Sequence, residues 1–386
     1  MKQKLVVVFG SGASFDSGFK VQLQNVNLTI DPPIDLAFFR SIPSELINDN
    51  YYALSRFKQL YFGSEEDPRM EEVWTAINLN HKHIRLATYK WIKENYDYIR
   101  ARNAEYANMD LVSALQYIPE SGGGYLYSPA YSEYKFLGDC DRDFRRLVFD
   151  VFSNYLEPNK TNNYQLLHSQ LNESSRCMLM GYISFNYDCF LEHSITPIFK
   201  YIGTNDNAED LDLLLHGNIP IIKLHGSLNW EETVNPRLIT YHSPPYKKES
   251  QVKPEYFTDT NWSQPAMIPP TIFKQEINDD ARSGDTLTQT ILQQWRAALR
   301  LLMEADRIIV IGYSFPPTDY HTSRIFRIAR MRRLEAQTPP VQVLYCGGEH
   351  EKPDILPRIF GKEAKILIRN RFSDLCGSKA LLEFLN

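Results

Sequence analysis

Two short segments in the middle of the chain carry side chains suited to proton transfer and to holding a small polar ligand. They read Ser184-Phe185-Asn186-Tyr187-Asp188 and Lys223-Leu224-His225-Gly226-Ser227. An asparagine amide can orient a water molecule or a sugar hydroxyl, and histidine is the side chain best suited to proton transfer near neutral pH. Taken alone, each segment is better explained by structure, the first as a capping turn and the second as a strand-end histidine. The chemistry therefore depends on whether the two segments meet.

The elements before these segments predict that they do meet. Residues 180–185 and 219–224 are apolar runs typical of strands buried in a parallel sheet. The first ends just before Asn186, and the second ends just before His225. Ligands of open α/β sheets bind outside the carboxyl ends of the strands. Asn186, Asp188 and His225 are therefore expected at one edge of a sheet.

A glycine-containing turn follows a third apolar run, residues 5–9. It spans Gly10 to Gly18 and reads GSGASFDSG. Glycines let the backbone approach a pyrophosphate, and amide N–H groups at the start of a helix can bind the anion. The third glycine and the acidic residue of the dehydrogenase fingerprint are missing, so this turn alone equally describes an ordinary βα connection.

The rest of the chain predicts an α/β fold with a Rossmann-like, doubly wound and mainly parallel sheet. Further strand patterns lie at residues 307–313, 341–345 and 365–368, and helical patterns lie at 189–200, 286–304, 318–335 and 374–385. Residues 41–175 have mostly helical periodicity, as in 71–91 and 141–156, with a glycine-rich stretch at 121–124. We therefore predict a Rossmann-like domain of residues 1–40 and 176–386, interrupted by a large helical insertion. The Pro-rich and aromatic residues 231–275 are expected to form a long functional loop.

Together, the three segments resemble the NAD-binding motifs of the sirtuins. The turn at Gly10 is similar to the family's GAGxSxxSG opening, Ser-Phe-Asn-Tyr-Asp to its Thr-Gln-Asn-Ile-Asp segment, and Lys-Leu-His-Gly-Ser to its catalytic His-Gly segment. The Asn-Tyr-Asp and Leu-His-Gly-Ser forms are closest to bacterial sirtuin-like NAD hydrolases of anti-phage defence. The family's Pro-Asp-Phe-Arg does not follow Gly18, which implies a different loop over the cofactor.

Carried over by position, the resemblance implies roles for individual residues. Asn186 would hold the nicotinamide ribose and the attacking water, Asp188 would meet the carboxamide, and His225 would be the general base. The implied cofactor-binding residues are Gly10, Ser11, Gly12, Ala13, Ser14, Gly226, Ser227, Gly312, Tyr313, Ser314 and Asp319. Asp319 is equally explained as a helix cap. The Cys346-Gly347-Gly348 segment stands where the family has an asparagine near the adenosine, so the adenine contacts stay open.

The cysteines bear on the type of reaction. Sirtuin deacylases carry a four-cysteine zinc ribbon that builds the peptide cleft, whereas the five cysteines of this chain are isolated from one another. We therefore expect no zinc ribbon and no metal, with NAD as the substrate. The resemblance then favours an NAD+ glycohydrolase over a deacylase, and a non-catalytic sensor of NAD or ADP-ribose is the alternative from another class.

Composition bounds the location and the partners. The net charge of -5 disfavours direct nucleic-acid binding, and the five arginines between Arg324 and Arg333 are explained as a solvated helix face. Isolated thiols, with no signal peptide or membrane span in the sequence, predict a cytoplasmic protein. The Tyr, Phe and Arg residues of the insertion suit a contact surface, which predicts a homo-oligomer. The resemblance adds a HerA-type ATPase or a short Argonaute as a candidate partner.

Overall fold

The computed structural model describes most of the chain and divides it into two compact units. It describes all residues except 1, 24–26, 35–36, 64–67, 71, 81–82, 84–128, 196–198, 202–218, 235–236, 242–262, 269–285, 317–318, 348–354, 363 and 370. The sheet unit comprises residues 1–35, 149–256 and 261–386, and the helical unit comprises residues 36–148 and 257–260. Residues 149–175 fall in the sheet unit in this division, and the domain boundaries taken from the sequence stay a prediction.

The elements are numbered in chain order. The strands are β1 (Gln3–Phe9), β2 (Lys20–Leu23), β3 (Leu28–Ile30), β4 (Tyr155–Leu156), β5 (Cys177–Ser184), β6 (Phe199–Tyr201), β7 (Ile219–Lys223), β8 (Gly226–Val234), β9 (Arg237–Tyr241), β10 (Ser263–Met267), β11 (Arg307–Ile311), β12 (Gln342–Cys346) and β13 (Lys365–Arg369). The helices include α1 (Ser11–Phe15), α2 (Phe38–Ser41), α3 (Ser44–Asn50), α4 (Tyr52–Phe62), α5 (Pro129–Ser153), α6 (Asn163–Glu173), α7 (Phe190–Ile195), α8 (Thr286–Glu304), α9 (Tyr320–Glu335), α10 (Leu356–Phe360), α11 (Phe372–Leu375) and α12 (Lys379–Leu385).

The sheet unit is built on a seven-stranded sheet with the order β13-β12-β11-β1-β5-β7-β6. Every neighbouring pair in it is parallel. Residues 5–8 of β1 are fully buried because the sheet is covered on both faces, and the apolar sides of α8 and α9 pack against one of them. This arrangement confirms the predicted α/β class and the Rossmann-like parallel sheet.

The strand order creates a switch point beside β1. The first strand pairs with β5 on one side and with β11 on the other, so the later strands extend from it in two directions. In doubly wound sheets, dinucleotides bind in the crevice where the strand order reverses. Here that crevice lies at the carboxyl ends of β1 and β11.

Two of the predicted helices end differently from the sequence pattern. The helix predicted over 189–200 stops at Ile195, and strand β6 begins at Phe199; Pro197 between them has no backbone N–H for a helix. The helix predicted over 374–385 is split at Gly377, whose φ of +76° suits a glycine. Ser378 then begins α12 as a cap, because its hydroxyl accepts a hydrogen bond from the Leu381 N–H.

The segment predicted as a long loop over 231–275 is instead largely strand where it is described. Strands β10, β8 and β9 form an antiparallel sheet in that order. The aromatic side chains supply its core: the Trp230 ring packs edge-on against Tyr241 at 5.2 Å and against Tyr201 at 5.4 Å. Residues 242–262 and 269–275 lie outside the described residues.

The helical unit has its own aromatic core. The rings of Trp74 and Phe144 lie 4.7 Å apart, and the Trp74 indole N–H donates to Asp141 at 2.7 Å. The Asp143 carboxylate accepts hydrogen bonds from the Ala53 and Leu54 amides at the start of α4.

The predicted helices of this region are described in part. Of the pattern predicted over 71–91, residues 72–80 and residue 83 are helical, and the remainder lies outside the described residues. The predicted helix over 141–156 is α5, which ends at Ser153 because Tyr155 pairs with β2. The glycine-rich stretch at 121–124 is not described.

Among the described residues, none of the helices is both long and apolar enough to cross a membrane.

Candidate active site

The two glycine turns at the switch point touch each other. The Gly10 N–H donates to the Ile311 carbonyl at 2.9 Å, and the Gly12 N–H donates to the Gly312 carbonyl at 3.0 Å. A Cβ at Gly10 would lie 2.5 Å from the Gly312 oxygen, and one at Gly12 would lie 2.9 Å from the Gly312 Cα. Only glycine therefore allows this approach, which seals the base of the crevice between β1 and β11.

Ser14 links the first turn to the end of β5. Its hydroxyl donates to Asp188 Oδ2 at 2.6 Å and accepts a hydrogen bond from Asn186 Nδ2 at 2.8 Å. The same Nδ2 donates to the Gly10 carbonyl at 3.0 Å. All three side chains are buried. The structure thus joins the predicted turn and the predicted Asn-Tyr-Asp segment in one hydrogen-bonded cluster.

Tyr164 belongs to this cluster and was not found from the sequence. It lies on α6 and is buried, and its ring packs edge-on against Phe9 at 5.1 Å. Its hydroxyl lies 3.3 Å from the Ser14 hydroxyl. Burial raises the pKa of Tyr164 well above its usual value, and the charge of Asp188 adds to this effect, so the phenol stays neutral.

A buried ion pair supports the main chain at Asp188. Lys223 Nζ donates to the Asp188 carbonyl at 2.7 Å and lies 3.1 Å from Glu192 Oε1, with both side chains almost fully buried. The Tyr201 hydroxyl donates to the same Glu192 oxygen at 2.9 Å. A lysine inside the apolar run of β7 was the only sequence signal of this pair.

His225 is held at the end of β7 by groups from α8. The Trp295 indole N–H donates to the Leu224 carbonyl at 3.1 Å, and Gln294 Oε1 accepts from the Lys223 N–H at 3.2 Å. Strand β6 pairs with β7 only as far as Ile221. Beyond that point, these two side chains supply the hydrogen-bond partners for the backbone of β7. His225 is consequently fixed at the same edge as Asn186.

The His225 imidazole contacts a carboxylate from the third predicted turn. Its Nε2 lies 3.3 Å from Asp319 Oδ2, and the Tyr313 hydroxyl donates to the same oxygen at 2.7 Å. Asp319 occupies the N-cap position of α9, but its side chain makes no capping hydrogen bond. The sequence suggested a helix cap or a cofactor contact, and the structure gives this carboxylate a histidine partner.

Strand β10 runs beside the His-Gly segment. The Ile268 N–H donates to the His225 carbonyl at 2.9 Å, and the Tyr187 hydroxyl donates to the Ile268 carbonyl at 2.8 Å. Gly226 has a φ of +81°, and a Cβ there would overlap the Ala266 carbonyl oxygen. The segment around Ile268 therefore helps to fix both motif segments, a role that its sequence does not reveal.

The remaining predicted cofactor-binding residues differ in exposure. Ser11 and Ser314 are exposed, whereas Ala13 is fully buried. Ser227 is buried too, and its hydroxyl donates to the Tyr187 carbonyl at 3.3 Å. Tyr313 stacks on Phe185 with 4.0 Å between ring centroids. These positions gather around the strand ends, and their contact with a cofactor stays a prediction. Gly348, at the predicted adenine end, lies outside the described residues.

The buried carboxyl of Asp188 gives a pH-dependent prediction. Desolvation raises its pKa above the usual 3.8, while Lys223 and the Ser14 hydroxyl act in the opposite direction. Because the folded protein holds this proton more tightly than the unfolded chain, Asp188 contributes stability at acidic pH that is lost as pH rises through its folded pKa. The free energy of unfolding of the wild type, minus that of Asp188→Asn, should therefore fall as pH rises above the usual carboxyl range. Urea titrations at a series of pH values measure this difference, and a difference that is constant with pH would contradict the raised pKa.

Within the described part of the chain, no group of three or more His, Cys, Asp or Glu side chains could hold a metal ion. The five cysteines are free thiols.

No protein-family model matches the chain, and no curated protein matches it. Solved structures similar to it include a Sir2 homologue in complex with NAD, at 14% identity and a TM-score of 0.38, covering 100% of this chain and 91% of that one. A mutant Sir2 homologue in complex with ADP-ribose matches at 15% identity and a TM-score of 0.39, covering 100% and 92%. A Sir2–p53 peptide–NAD+ complex matches at 16% identity and a TM-score of 0.33, covering 65% and 77%. Because the identities and the TM-scores are this low, the activity has to be inferred from the site itself.

Proposed function

We propose that this chain is an NAD+ glycohydrolase that cleaves the bond between nicotinamide and ribose. The observation that carries the proposal is the convergence of three strand ends: the Gly10 turn after β1, the Asn186–Asp188 segment after β5 and His225 after β7. The Ser14 hydroxyl bonds to both Asn186 and Asp188, and His225 is paired with Asp319. Such a set can bind a dinucleotide and move a proton beside it.

The crevice at the switch point suits the diphosphate of NAD. The tight glycine turns after β1 and β11 bring the two backbones into contact at Gly10, Gly12 and Gly312. The Gly12 and Ala13 N–H groups already donate to the Gly312 and Gly10 carbonyls. A diphosphate would therefore use other donors of the turn, for which the exposed hydroxyls of Ser11 and Ser314 are placed.

Asn186 would act through its amide oxygen. Its Nδ2 already donates to Gly10 and Ser14, which fixes the orientation of the amide. Oδ1 is then the atom that accepts a hydrogen bond from a ribose hydroxyl or from the attacking water. We assign the buried carboxyl of Asp188 to the nicotinamide carboxamide. Ser14 holds the carboxyl in place, and Lys223 holds the main chain of Asp188.

His225 would take the proton that hydrolysis releases. Departure of nicotinamide leaves an oxocarbenium-like ribose, and a water oxygen then bonds to its C1 carbon. The products are nicotinamide, ADP-ribose and one proton, which His225 accepts directly or through a ribose hydroxyl. A water nucleophile is preferred to an acyl-lysine, because the isolated cysteines offer no four-cysteine ribbon to build a peptide cleft.

We further propose that the activity is gated, because uncontrolled hydrolysis would drain cellular NAD. The catalytic side chains are closed off: His225 is 3% exposed and Asn186 is 7% exposed. Entry of NAD therefore requires a rearrangement that assembly or a partner can supply. The motif resemblance suggests anti-phage defence as the setting, in the cytoplasm, with a homo-oligomer and a HerA-type ATPase or a short Argonaute as candidates for that control.

The test is to incubate the full chain with NAD, alone and together with the protein encoded beside it, and to measure nicotinamide. We expect wild-type protein to release nicotinamide in at least one of these states. Asn186→Ala should release nicotinamide at least about 100-fold more slowly, because the amide that orients water and ribose is lost. Binding of NAD without release in every state would favour the sensor, and release that requires an acylated peptide would favour the deacylase.

A further inference from the structure

The contact between His225 and Asp319 is buried. The side chains are 4% and 1% exposed, and one carboxylate oxygen, Oδ2, faces both His225 Nε2 at 3.3 Å and the Tyr313 hydroxyl at 2.7 Å. Asp319 is thus a buried carboxylate that turns away from its own helix, since it does not cap α9. Burial of a carboxylate is costly unless polar groups satisfy it, and these two groups come from the ends of β7 and β11.

Aromatic rings pack around the His225 imidazole, and ring packing does not decide which ring nitrogen carries the proton. Phe185 packs edge-on at 5.4 Å and Tyr187 lies tilted at 6.1 Å between ring centroids. Tyr313 is in turn fixed by stacking on Phe185. A carboxylate beside Nε2 favours the tautomer protonated at that nitrogen, so the contact with Asp319 can fix the orientation and the tautomer of the imidazole.

We propose that Asp319 is a positioning residue for His225 and that Tyr313 holds Asp319 in place. This inference rests on the proposed function. Asp319 accepts the Nε2–H of the neutral imidazole, which leaves the lone pair on Nδ1. The proton from water or from a ribose hydroxyl moves to Nδ1, and the resulting imidazolium keeps its Nε2–H on the carboxylate. Asp319 stays ionised throughout, and the proton later passes from Nδ1 to solvent.

This role differs from a cofactor contact by Asp319, and kinetics separate the two. An orienting carboxylate acts on the chemical step, so Asp319→Asn should lower kcat about 100-fold or more while KM for NAD stays unchanged. A residue that contacts ribose or phosphate would raise KM instead. Tyr313→Phe should lower kcat less, because the carboxylate remains and only its second donor is lost.

A spectroscopic measurement tests the pair independently of activity. In protein labelled with nitrogen-15 histidine, the signals of His225 are identified by their loss in His225→Gln. The wild type should show the tautomer protonated at Nε2, and Asp319→Asn should shift the population toward the Nδ1–H form, with Tyr313→Phe retaining the wild-type tautomer.

The outcomes are distinguishable from failure of the proposed function. If wild-type protein releases no nicotinamide in any state, the proposed function fails, but the tautomer measurement still decides the role of Asp319. An Nδ1–H tautomer in the wild type, or an Asp319→Asn variant with unchanged kcat, would overturn the inference.

Discussion

Replacing His225 by alanine should lower the rate of nicotinamide release by about 100- to 10,000-fold, which is the usual contribution of a general base. Asp319, the carboxylate beside it, is poorly placed to take over this role, because it is buried and already accepts a hydrogen bond from Tyr313. NAD should still bind, since the glycine turns at the switch point are untouched. Steady-state kinetics and a binding titration measure the two effects separately.

A second histidine provides a matched control. His193 also pairs with a carboxylate, Glu157, at 3.1 Å, and its side chain is mostly buried at 14% exposure. It lies on α7, and its ring packs against Phe19 and Tyr155, which are not motif residues. His193→Gln should keep the wild-type rate of nicotinamide release. Equal losses in the two variants, or full activity in His225→Ala, would contradict the assignment of His225 as the base.

Gly312→Ala should destabilise the protein by about 3 kcal/mol or more and abolish NAD binding. Gly312 has a φ of +63°, a conformation that costs a non-glycine residue about 1–2 kcal/mol. A Cβ there would also overlap the Ala13 nitrogen and the backbone of Gly12, which cannot move aside as a flexible side chain could. Forcing atoms into packed surroundings costs about 1–3 kcal/mol more. The two turns would have to separate, and the base of the crevice would open.

Urea unfolding and an NAD titration on the same protein check this prediction. Gly138→Ala is the control, because that helical glycine has nothing within 4 Å of an added Cβ. Alanine in a helix interior should leave the protein as stable or stabilise it by about 0.5–1 kcal/mol. A Gly312→Ala variant with wild-type stability and wild-type affinity for NAD would show that the contact between the turns is dispensable.

The sheet was predictable because its strands are buried on both faces. An apolar run such as residues 5–9 has few alternatives when helical patterns lie between it and similar runs. The meeting of Asn186 and His225 at one edge followed from the same reasoning, since both stand where a strand ends. The short strand β6 was not predicted, because three residues are too few to show an alternating pattern. The proline before it, Pro197, stands in a stretch whose apolar spacing indicated a helix.

The supporting residues of the site were not predictable, because their roles depend on the approach of distant segments. Tyr164 lies 150 positions from Ser14 in the chain, and nothing in its helical pattern indicates a hydroxyl partner. Asp319 stands at a helix start, where a carboxylate normally caps, and only the fold shows that its side chain faces His225. The pairing of β10 with β8 was hidden by its Pro-rich sequence, which weakens the strand pattern.

The most direct test of the central claim is hydrolysis of NAD in water labelled with heavy oxygen, with the products separated by mass. The proposed chemistry predicts equal amounts of nicotinamide and ADP-ribose, with one heavy oxygen on the ribose carbon that carried nicotinamide. Asn186→Ala should form about 100-fold less of both products. Intact NAD after incubation in every assembly state, or ADP-ribose without the label, would contradict hydrolysis by this site.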